Sequence, residues 1–171
     1  MFVVLRKAAT ALVVVGSMTS AAALAPATAQ ATASPSSGEM VVSLIGRWAG
    51  NGQAVFKDGK HEPFKCVVVY LTDKLGDQVK QTIRCNSERL DLQLESSWMV
   101  KEGSITGTWH ETKYELKGTL LGSLDPEGYN LYAENEFANA TISVRTSACS
   151  QDVVMKFSKE VDLLTAQLKK C

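Results

Sequence analysis

Residues 66–85 read CVVVYLTDKLGDQVKQTIRC, with a cysteine at each end and the mid-point between Leu75 and Gly76. Folding this segment back on itself at its mid-point places Cys66 opposite Cys85 and predicts a β-hairpin with a Gly-Asp turn. Directly opposed residues in a non-hydrogen-bonded antiparallel pair lie about 4.5 Å apart between Cα atoms, which is within disulfide reach. We therefore predict a cross-strand disulfide between Cys66 and Cys85. The predicted register also pairs Val68 with Ile83, Tyr70 with Gln81 and Thr72 with Val79, and on the other face Val67 with Arg84, Val69 with Thr82 and Leu71 with Lys80.

The other two cysteines, Cys149 and Cys171, are symmetric about Glu160 and predict a second hairpin and a second disulfide. In this register the apolar residues of 153–157 and 164–168 fall on opposite faces, so we expect a bulge or a one-residue slip. A helix is the alternative for the last segment. The alternative use of four cysteines is a zinc site, but the chain has no C-x-x-C spacing and only two histidines, His61 and His110, so we predict no metal site.

The rest of the chain alternates apolar and polar residues with a period of two, for example from Leu90 to Glu95 and from Ala138 to Arg145. Turn residues separate these segments. About ten short strands predict an all-β fold, namely an antiparallel up-and-down barrel of about 8–10 strands with a short N-terminal helical turn, Glu39–Ile45. A β-sandwich is the alternative, but glycines within several strands favour a barrel because they allow tight bends.

The N-terminus predicts export. Residues 1–31 contain a short basic start, an apolar run from Ala8 to Val15 and A-x-A sites, which is the pattern of a signal peptide. A membrane anchor is the alternative, but the apolar run is too short to span a bilayer. We predict a flexible lead-in over 32–39 and a single domain over 40–171. The leader is of bacterial type, so the expected location is the periplasm or the exterior, where disulfides form.

Charge excludes some partners. The chain has 18 basic and 18 acidic residues, and loss of Arg6 and Lys7 with the leader gives a net charge near −2. Because the basic residues are scattered, we expect no nucleic-acid partner and no binding to an anionic membrane. Nothing in the sequence indicates a cofactor.

GRWAGNG, residues 46–52, opens the first strand after the helical turn, and GTWHE, residues 107–111, gives a second tryptophan-bearing strand. Gly46 and Trp48 match the Gly-x-Trp of the calycins, and the layout resembles lipocalins, avidins and the small bacterial barrels that inhibit secreted metalloproteases. The resemblance implies that Trp48 plugs the closed end of a barrel. The layout also resembles uncharacterised small exported bacterial proteins, a resemblance that brings no function with it.

Candidate site residues point to binding rather than to catalysis. His61 and His110 fall at positions expected to be solvated, and there is no G-x-S-x-G motif, so we expect no enzyme. Trp48, Tyr70, Trp109 and Tyr114 fall on inward-predicted faces and either line a ligand cavity or fill the core. Glu111 shares the Trp109 face, where it is either a polar anchor for a ligand or a rim residue, with Arg47, Arg84 or Arg89 as its candidate partner.

Trp98 and Met99 predict either a surface contact with a partner or a cap on an open barrel end. The leading functional hypothesis is an exported protein that binds an apolar or amphipathic small molecule inside the barrel. The alternative is a protein-binding module, such as a protease inhibitor or an envelope-associated protein, with a filled core.

Overall fold

The computed structural model describes residues 36–73 and 76–170; the predicted signal peptide, 1–31, and Cys171 lie outside the described residues. In this described part of the chain, one short helix precedes ten antiparallel strands. The elements are α1 (Ser37–Leu44), β1 (Gly46–Phe56), β2 (His61–Thr72), β3 (Gln78–Asn86), β4 (Asp91–Lys101), β5 (Ser104–Glu111), β6 (Leu116–Asp125), β7 (Gly128–Glu134), β8 (Asn139–Ser147), β9 (Ser150–Phe157) and β10 (Val161–Lys169). Each strand pairs with its neighbours in sequence, and β10 pairs with β1. The sheet is therefore a closed up-and-down barrel, as predicted, and the sandwich alternative is wrong.

The hairpin β2–β3 has the predicted register, with Cys66 opposite Cys85 and Tyr70 opposite Gln81. The Cα atoms of the two cysteines lie 4.1 Å apart, and a disulfide joins them. All four of these side chains are buried. Because alternate residues of a strand point to opposite faces, the same register places the remaining buried residues of both strands on the interior wall.

The hairpin β9–β10 shows the predicted slip. Leu164 lies opposite Met155, which is one residue away from the register that the cysteine symmetry implies, and the shift brings the apolar residues of both strands to one face. The helix alternative for the last segment is wrong, because 161–169 is a strand. Lys170 donates its backbone N–H to the Cys149 carbonyl at 3.0 Å. The disulfide between Cys149 and Cys171 stays a prediction, since Cys171 lies outside the described residues.

Two glycines allow β1 to pack closely inside the barrel. A Cβ atom at Gly52 would clash with the Phe64 ring and with the carbonyl of Thr165, and one at Gly50 would clash with the carbonyl of Gln167. Two of the strand glycines that favoured a barrel in the sequence therefore lie where β1 closes the sheet against β10.

Helix α1 begins two residues earlier than predicted. Ser36 caps it, because its hydroxyl accepts the N–H of Glu39 at 3.4 Å while the Glu39 carboxylate accepts the N–H of Ser36 at 2.7 Å. These two bonds lower the pKa of Glu39. Residues 37–39 thus belong to the helix, and residues 32–35 of the predicted lead-in over 32–39 lie outside the described residues.

The helix plugs one end of the barrel. Met40, Val41 and Leu44 are buried, and Trp48 is fully buried beside them. The Trp48 indole donates to the Leu44 carbonyl at 2.7 Å, which ties β1 to the last turn of α1. Trp48 therefore plugs the closed end, as the calycin resemblance implied.

The two ends of the barrel differ in their connections. The end that carries α1, here called the helix end, has two-residue connections at 102–103, 126–127 and 148–149 and a five-residue connection, 73–77, between β2 and β3. The opposite end, here called the loop end, has connections of three or four residues at 57–60, 87–90, 112–115, 135–138 and 158–160. Within the described residues, no helix is long and apolar enough to cross a membrane.

Candidate functional site

The barrel interior holds a cavity between the β2–β3 wall and the β8–β10 wall. Its volume is about 20 Å³, enough for about one water molecule. The apolar part of its lining includes Ile83, Ile142, Met155, Leu164 and the Cys66–Cys85 disulfide. Polar atoms come from three side chains, Tyr70, Gln81 and Tyr129. Among the described residues, no charged side chain lines this cavity.

Two tyrosines meet inside the barrel. Tyr70 on β2 and Tyr129 on β7 come from opposite walls, and their hydroxyl oxygens lie 2.7 Å apart. Their rings pack edge to face with centroids 6.4 Å apart, and each residue is 1% exposed. The two phenols therefore form a hydrogen-bonded bridge across the interior.

A glutamine and a serine extend this bridge toward β4. The Gln81 amide donates to the Tyr129 hydroxyl at 3.0 Å, and the Ser96 hydroxyl donates to the Gln81 carbonyl oxygen at 3.0 Å. Gln81 and Ser96 are both buried. Gln81 is held in place because it lies opposite Tyr70 in the β2–β3 register and opposite Ser96 in the β3–β4 register.

A second glutamine extends the bridge toward β8. The Tyr70 hydroxyl donates to the Gln151 carbonyl oxygen at 3.5 Å, and the Gln151 amide donates to the Thr146 hydroxyl at 3.2 Å. Gln151 is 1% exposed. We call the whole set the polar network; its members are Ser96, Gln81, Tyr129, Tyr70, Gln151 and Thr146.

The hydrogens of the polar network run in one direction. Since a phenol has one hydrogen, Tyr70 donating to Gln151 leaves Tyr129 as the donor to Tyr70. Gln81 then donates to Tyr129, and Ser96 to Gln81. Each glutamine amide uses one of its two N–H groups in these bonds, so the network has more donors than it uses.

Burial keeps both phenols neutral. Desolvation raises the pKa of Tyr70 to about 12, against smaller lowering effects of its hydrogen bonds. Desolvation, and after it the neighbouring Tyr70, raises the pKa of Tyr129 well above its ordinary value. Both groups are O–H donors at neutral pH, and burial keeps them so above the pH at which an ordinary phenol ionises.

Two indoles add unpaired donors to the interior. The Nε1 atoms of Trp98 and Trp109 are buried and have no acceptor among the described residues. The Trp98 ring lies 5.6 Å from the Tyr129 ring between centroids. Trp109 packs against Gly118, where a Cβ atom would clash with the indole. A buried donor without a partner costs about 1–3 kcal/mol, so two of them are an uncommon feature of a protein interior.

The structure separates the predicted aromatic site residues. Tyr70 lines the cavity, whereas Trp48 belongs to the helix-end plug and Trp109 is a partly buried interior residue outside the cavity lining. Tyr114 is 66% exposed, so its predicted inward orientation is wrong. The reason is that β5 ends at Glu111 and Tyr114 falls in the following turn rather than in a strand.

Glu111 is buried, at 6% exposure, but its partners are not the expected arginines. Its carboxylate accepts the backbone N–H of Tyr114 at 2.7 Å and that of Gln93 at 3.3 Å. The carboxylate therefore holds the β5–β6 turn against β4, and the prediction of an arginine partner is wrong. A role as a ligand anchor stays a prediction.

Trp98 and Met99 do not form an exposed pair. Trp98 is 1% exposed, because β4 continues to Lys101 and turns this side chain inward, opposite Gly107. Met99 points outward and is 54% exposed. The predicted surface exposure of Trp98 is wrong, and contact of Met99 with a partner stays a prediction.

The sequence reasoning missed Gln81, Ser96, Tyr129 and Gln151 as site residues. For Gln81 a signal existed, since the predicted hairpin already placed it opposite Tyr70 on the apolar face. Tyr129 and Gln151 are the second residues of β7 and β9. So close to a two-residue turn, the sequence pattern does not indicate which residues of the strand face the interior. Locating them required the barrel geometry.

The two histidines lie away from the cavity. His61 is exposed at the start of β2, and His110 lies on β5 with its Nε2 atom 3.0 Å from a carboxylate oxygen of Glu115. Within residues 36–73 and 76–170, no group of three or more metal-ligating side chains lies together.

Comparison with known proteins supports the fold alone. No family model and no curated protein matches the sequence. Among solved structures, Rv2717c from M. tuberculosis aligns with a TM-score of 0.62 and 14% identity, over 80% of this chain and 98% of that one. A protein of unknown function from the DUF3598 family of Nostoc punctiforme aligns with a TM-score of 0.58 and 12% identity, over 77% of this chain and 48% of that one. The S-type phycobiliprotein lyase CPES from Guillardia theta aligns with a TM-score of 0.55 and 9% identity, over 78% of this chain and 91% of that one. These similarities place the chain among small barrels of the calycin-like fold.

Proposed function

We propose that this chain is an exported, non-catalytic binding protein that holds a small apolar or amphipathic molecule inside its barrel. The observation that carries the proposal is the interior cavity, which is apolar along most of its lining and ends on the polar network. Ligand cavities of proteins have this composition, with few polar groups placed among many apolar ones.

The polar network argues for a role beyond filling the core. Apolar side chains of similar size fill a barrel without the cost of desolvating hydroxyl and amide groups, which is about 1–3 kcal/mol for each unpaired group. A structural reason for the network is conformational specificity; a functional reason is recognition of a ligand. The two unpaired indoles favour ligand recognition, because each buried N–H group lowers the stability of the fold without making a hydrogen bond within it.

Binding of anything larger than water requires side chains to move, since the cavity measures about 20 Å³. Met155 lines the cavity and has a flexible thioether side chain that adapts to irregular volumes. One structural neighbour with the same barrel fold is a phycobiliprotein lyase, which is consistent with a binding role for this barrel. Export is supported by the leader sequence and by the Cys66–Cys85 disulfide.

Native mass spectrometry of the protein purified from an oxidising export compartment tests the proposal. We expect an adduct of a few hundred daltons on the folded protein that is lost on denaturation. Ala166→Leu adds three carbon atoms to the cavity wall and should remove the adduct, whereas Thr165→Leu places the same new side chain on the exposed outer face and should keep it. An adduct that survives Ala166→Leu contradicts binding in this cavity.

A second candidate is a protein-binding module that acts through its outer surface, and one observation favours it. Met99, Leu121 and Tyr132 are 54%, 51% and 39% exposed, and cross-strand pairing aligns them in one row through Thr106. Exposed apolar rows mark contact surfaces. Leu121→Glu should then abolish capture of a protein partner from an envelope extract, with the stability of the barrel unchanged.

A further inference from the structure

We infer that the barrel lumen recognises a neutral molecule whose polar group is a hydrogen-bond acceptor, such as a ketone or ester carbonyl, and that the Gln81 amide and the Trp98 indole form the end of the site that receives it. This inference rests on the proposed function and names the chemical class of its ligand. Three separate observations support it, namely the lining of the cavity, the balance of donors and acceptors, and the position of Trp98.

The lining argues for a neutral ligand. Among the described residues, no charged side chain lines the cavity. Glu111 is a buried carboxylate on the same barrel interior, but its oxygens accept the N–H groups of Tyr114 and Gln93. An ion that enters an apolar interior without a counter-charge loses several kcal/mol of hydration, whereas a neutral carbonyl loses much less.

The balance of donors and acceptors argues for an acceptor on the ligand. Within the polar network, each carbonyl oxygen and the Tyr129 hydroxyl oxygen already accept a hydrogen bond, while each glutamine amide has a second N–H group left. The indole N–H groups of Trp98 and Trp109 have no acceptor at all among the described residues. A ligand that brings an acceptor satisfies donors that the protein itself leaves unsatisfied, and a ligand that brings only another donor does not.

Trp98 places one unpaired donor beside the cavity, next to Tyr129, although the indole is not part of the cavity lining. It is 1% exposed, so bulk water does not supply its missing acceptor. Its ring packs 5.6 Å from that of Tyr129, which lines the cavity. Trp48 provides the contrast, because its indole already donates to the Leu44 carbonyl at 2.7 Å.

The first experiment compares four probes that share a six-membered ring and differ in their polar group, namely cyclohexanone, cyclohexanecarboxylate, cyclohexylammonium and cyclohexane. Their dissociation constants are measured on the full folded protein by NMR titration. We expect cyclohexanone to bind most tightly and both ions to bind at least about tenfold more weakly. Tighter binding of either ion, or of cyclohexane, overturns the inference but leaves the proposed function standing. Failure of all four probes to bind overturns both.

The indole N–H signals of the three tryptophans supply an internal control. Cyclohexanone should shift the Trp98 signal downfield, as a new hydrogen bond does, and leave the Trp48 signal in place. The signals are assigned with single Trp→Phe variants. Binding that moves no indole signal overturns the assignment of Trp98 to the site.

A matched pair of glutamine variants separates recognition from folding. Gln81→Met removes the free N–H group from the cavity wall and keeps the length of the side chain, and Gln53→Met removes an exposed amide on the outer face. We expect Gln81→Met to weaken cyclohexanone binding about tenfold and to leave cyclohexane binding unchanged. Gln53→Met should change neither. If Gln81→Met does not fold, Trp98→Phe serves as the second variant with the same expected loss, and equal loss for cyclohexanone and cyclohexane overturns the inference.

Discussion

The helix end and the loop end of the barrel are built by different means. At the helix end the largest side chains, Trp48, Tyr70, Trp98 and Tyr129, are each at most 1% exposed. At the loop end Trp109 is only partly buried, and the connections that follow β5 and β7 carry exposed aromatics, Tyr114 at 66% and Phe137 at 61%.

Side-chain ion pairs and a cation–π contact support the loop end. Arg89 pairs with Asp58 at 3.2 Å and lies over the Phe56 ring at 4.0 Å from its centroid, which joins the β1–β2 and β3–β4 connections. Lys113 pairs with Asp91 at 2.7 Å. Exposed pairs of this kind contribute about 0–1 kcal/mol each, far less than a buried tryptophan.

The difference indicates which end adapts. Close packing of buried aromatic side chains makes the helix end rigid, while exposed aromatic side chains and exposed ion pairs make the loop end open more readily. A ligand of the proposed kind would have its polar group fixed near the helix end and its access from the loop end. The experiments below test the contrast, from the largest expected effect to the smallest.

Removal of the helix-end plug should have the largest effect. Trp48→Ala deletes a fully buried indole together with its bond to Leu44, and we expect a loss of about 3–5 kcal/mol in the free energy of unfolding. Tyr114→Ala at the loop end is the control, with an expected change within about 0.5 kcal/mol. Urea unfolding followed by circular dichroism measures both, and equal losses would contradict the contrast between the ends.

Removal of the Cys66–Cys85 disulfide should cost about 3 kcal/mol, because the bond closes a loop with a sequence separation of 19. The double variant Cys66→Ala/Cys85→Ala leaves the other two cysteines intact, so urea unfolding of this variant isolates the contribution of one bond. The same unfolding curve measured with reductant shows what any further disulfide adds. A double variant as stable as the parent would show that the pairing of β2 with β3 does not depend on the disulfide.

Alkaline pH should destabilise the helix end through its buried phenols. The pKa of Tyr70 is raised from 10.0 to about 12, so between these values the unfolded chain loses the phenol proton and the folded protein keeps it. Stability is therefore fully present below pH 10 and is lost as the pH rises through about 12. Urea unfolding at a series of pH values measures this slope, and Tyr70→Phe should reduce it. An unchanged slope in that variant would exclude Tyr70 as its source.

The sequence predicts the register of the barrel strands better than the side-chain contacts in the lumen. The register of β2–β3 follows from two cysteines and the alternation between them, because a period of two leaves one pairing that keeps the apolar residues on one face. The slip in β9–β10 follows in the same way from apolar residues that would otherwise face opposite sides. Strand phase is local information, so the sequence contains it.

The contents of the lumen depend on distances across the barrel. Tyr70 and Tyr129 are 59 residues apart in sequence and meet only because β2 and β7 lie on opposite walls. Trp98 looked exposed because it follows two serines, and it is buried because Gly107 on the neighbouring strand leaves room for it. Tyr114 looked buried because it continues an alternating pattern, although the chain turns before it. No local pattern contains these facts, since each depends on a partner strand.

The smallest effect that we predict concerns the Glu111 carboxylate at the loop end. Glu111→Gln keeps the size of the side chain but replaces one accepting oxygen by an N–H₂ group, which opposes the N–H of either Tyr114 or Gln93. We expect a loss of about 1–2 kcal/mol in the free energy of unfolding and faster amide hydrogen exchange at Tyr114. Glu115→Gln in the same turn is the control: its carboxylate is 71% exposed and pairs with His110, so its loss should stay within about 0.5 kcal/mol. If Glu111 instead anchors a ligand, Glu111→Gln should also change the binding of the charged cyclohexyl probes, a result that a purely structural carboxylate does not give.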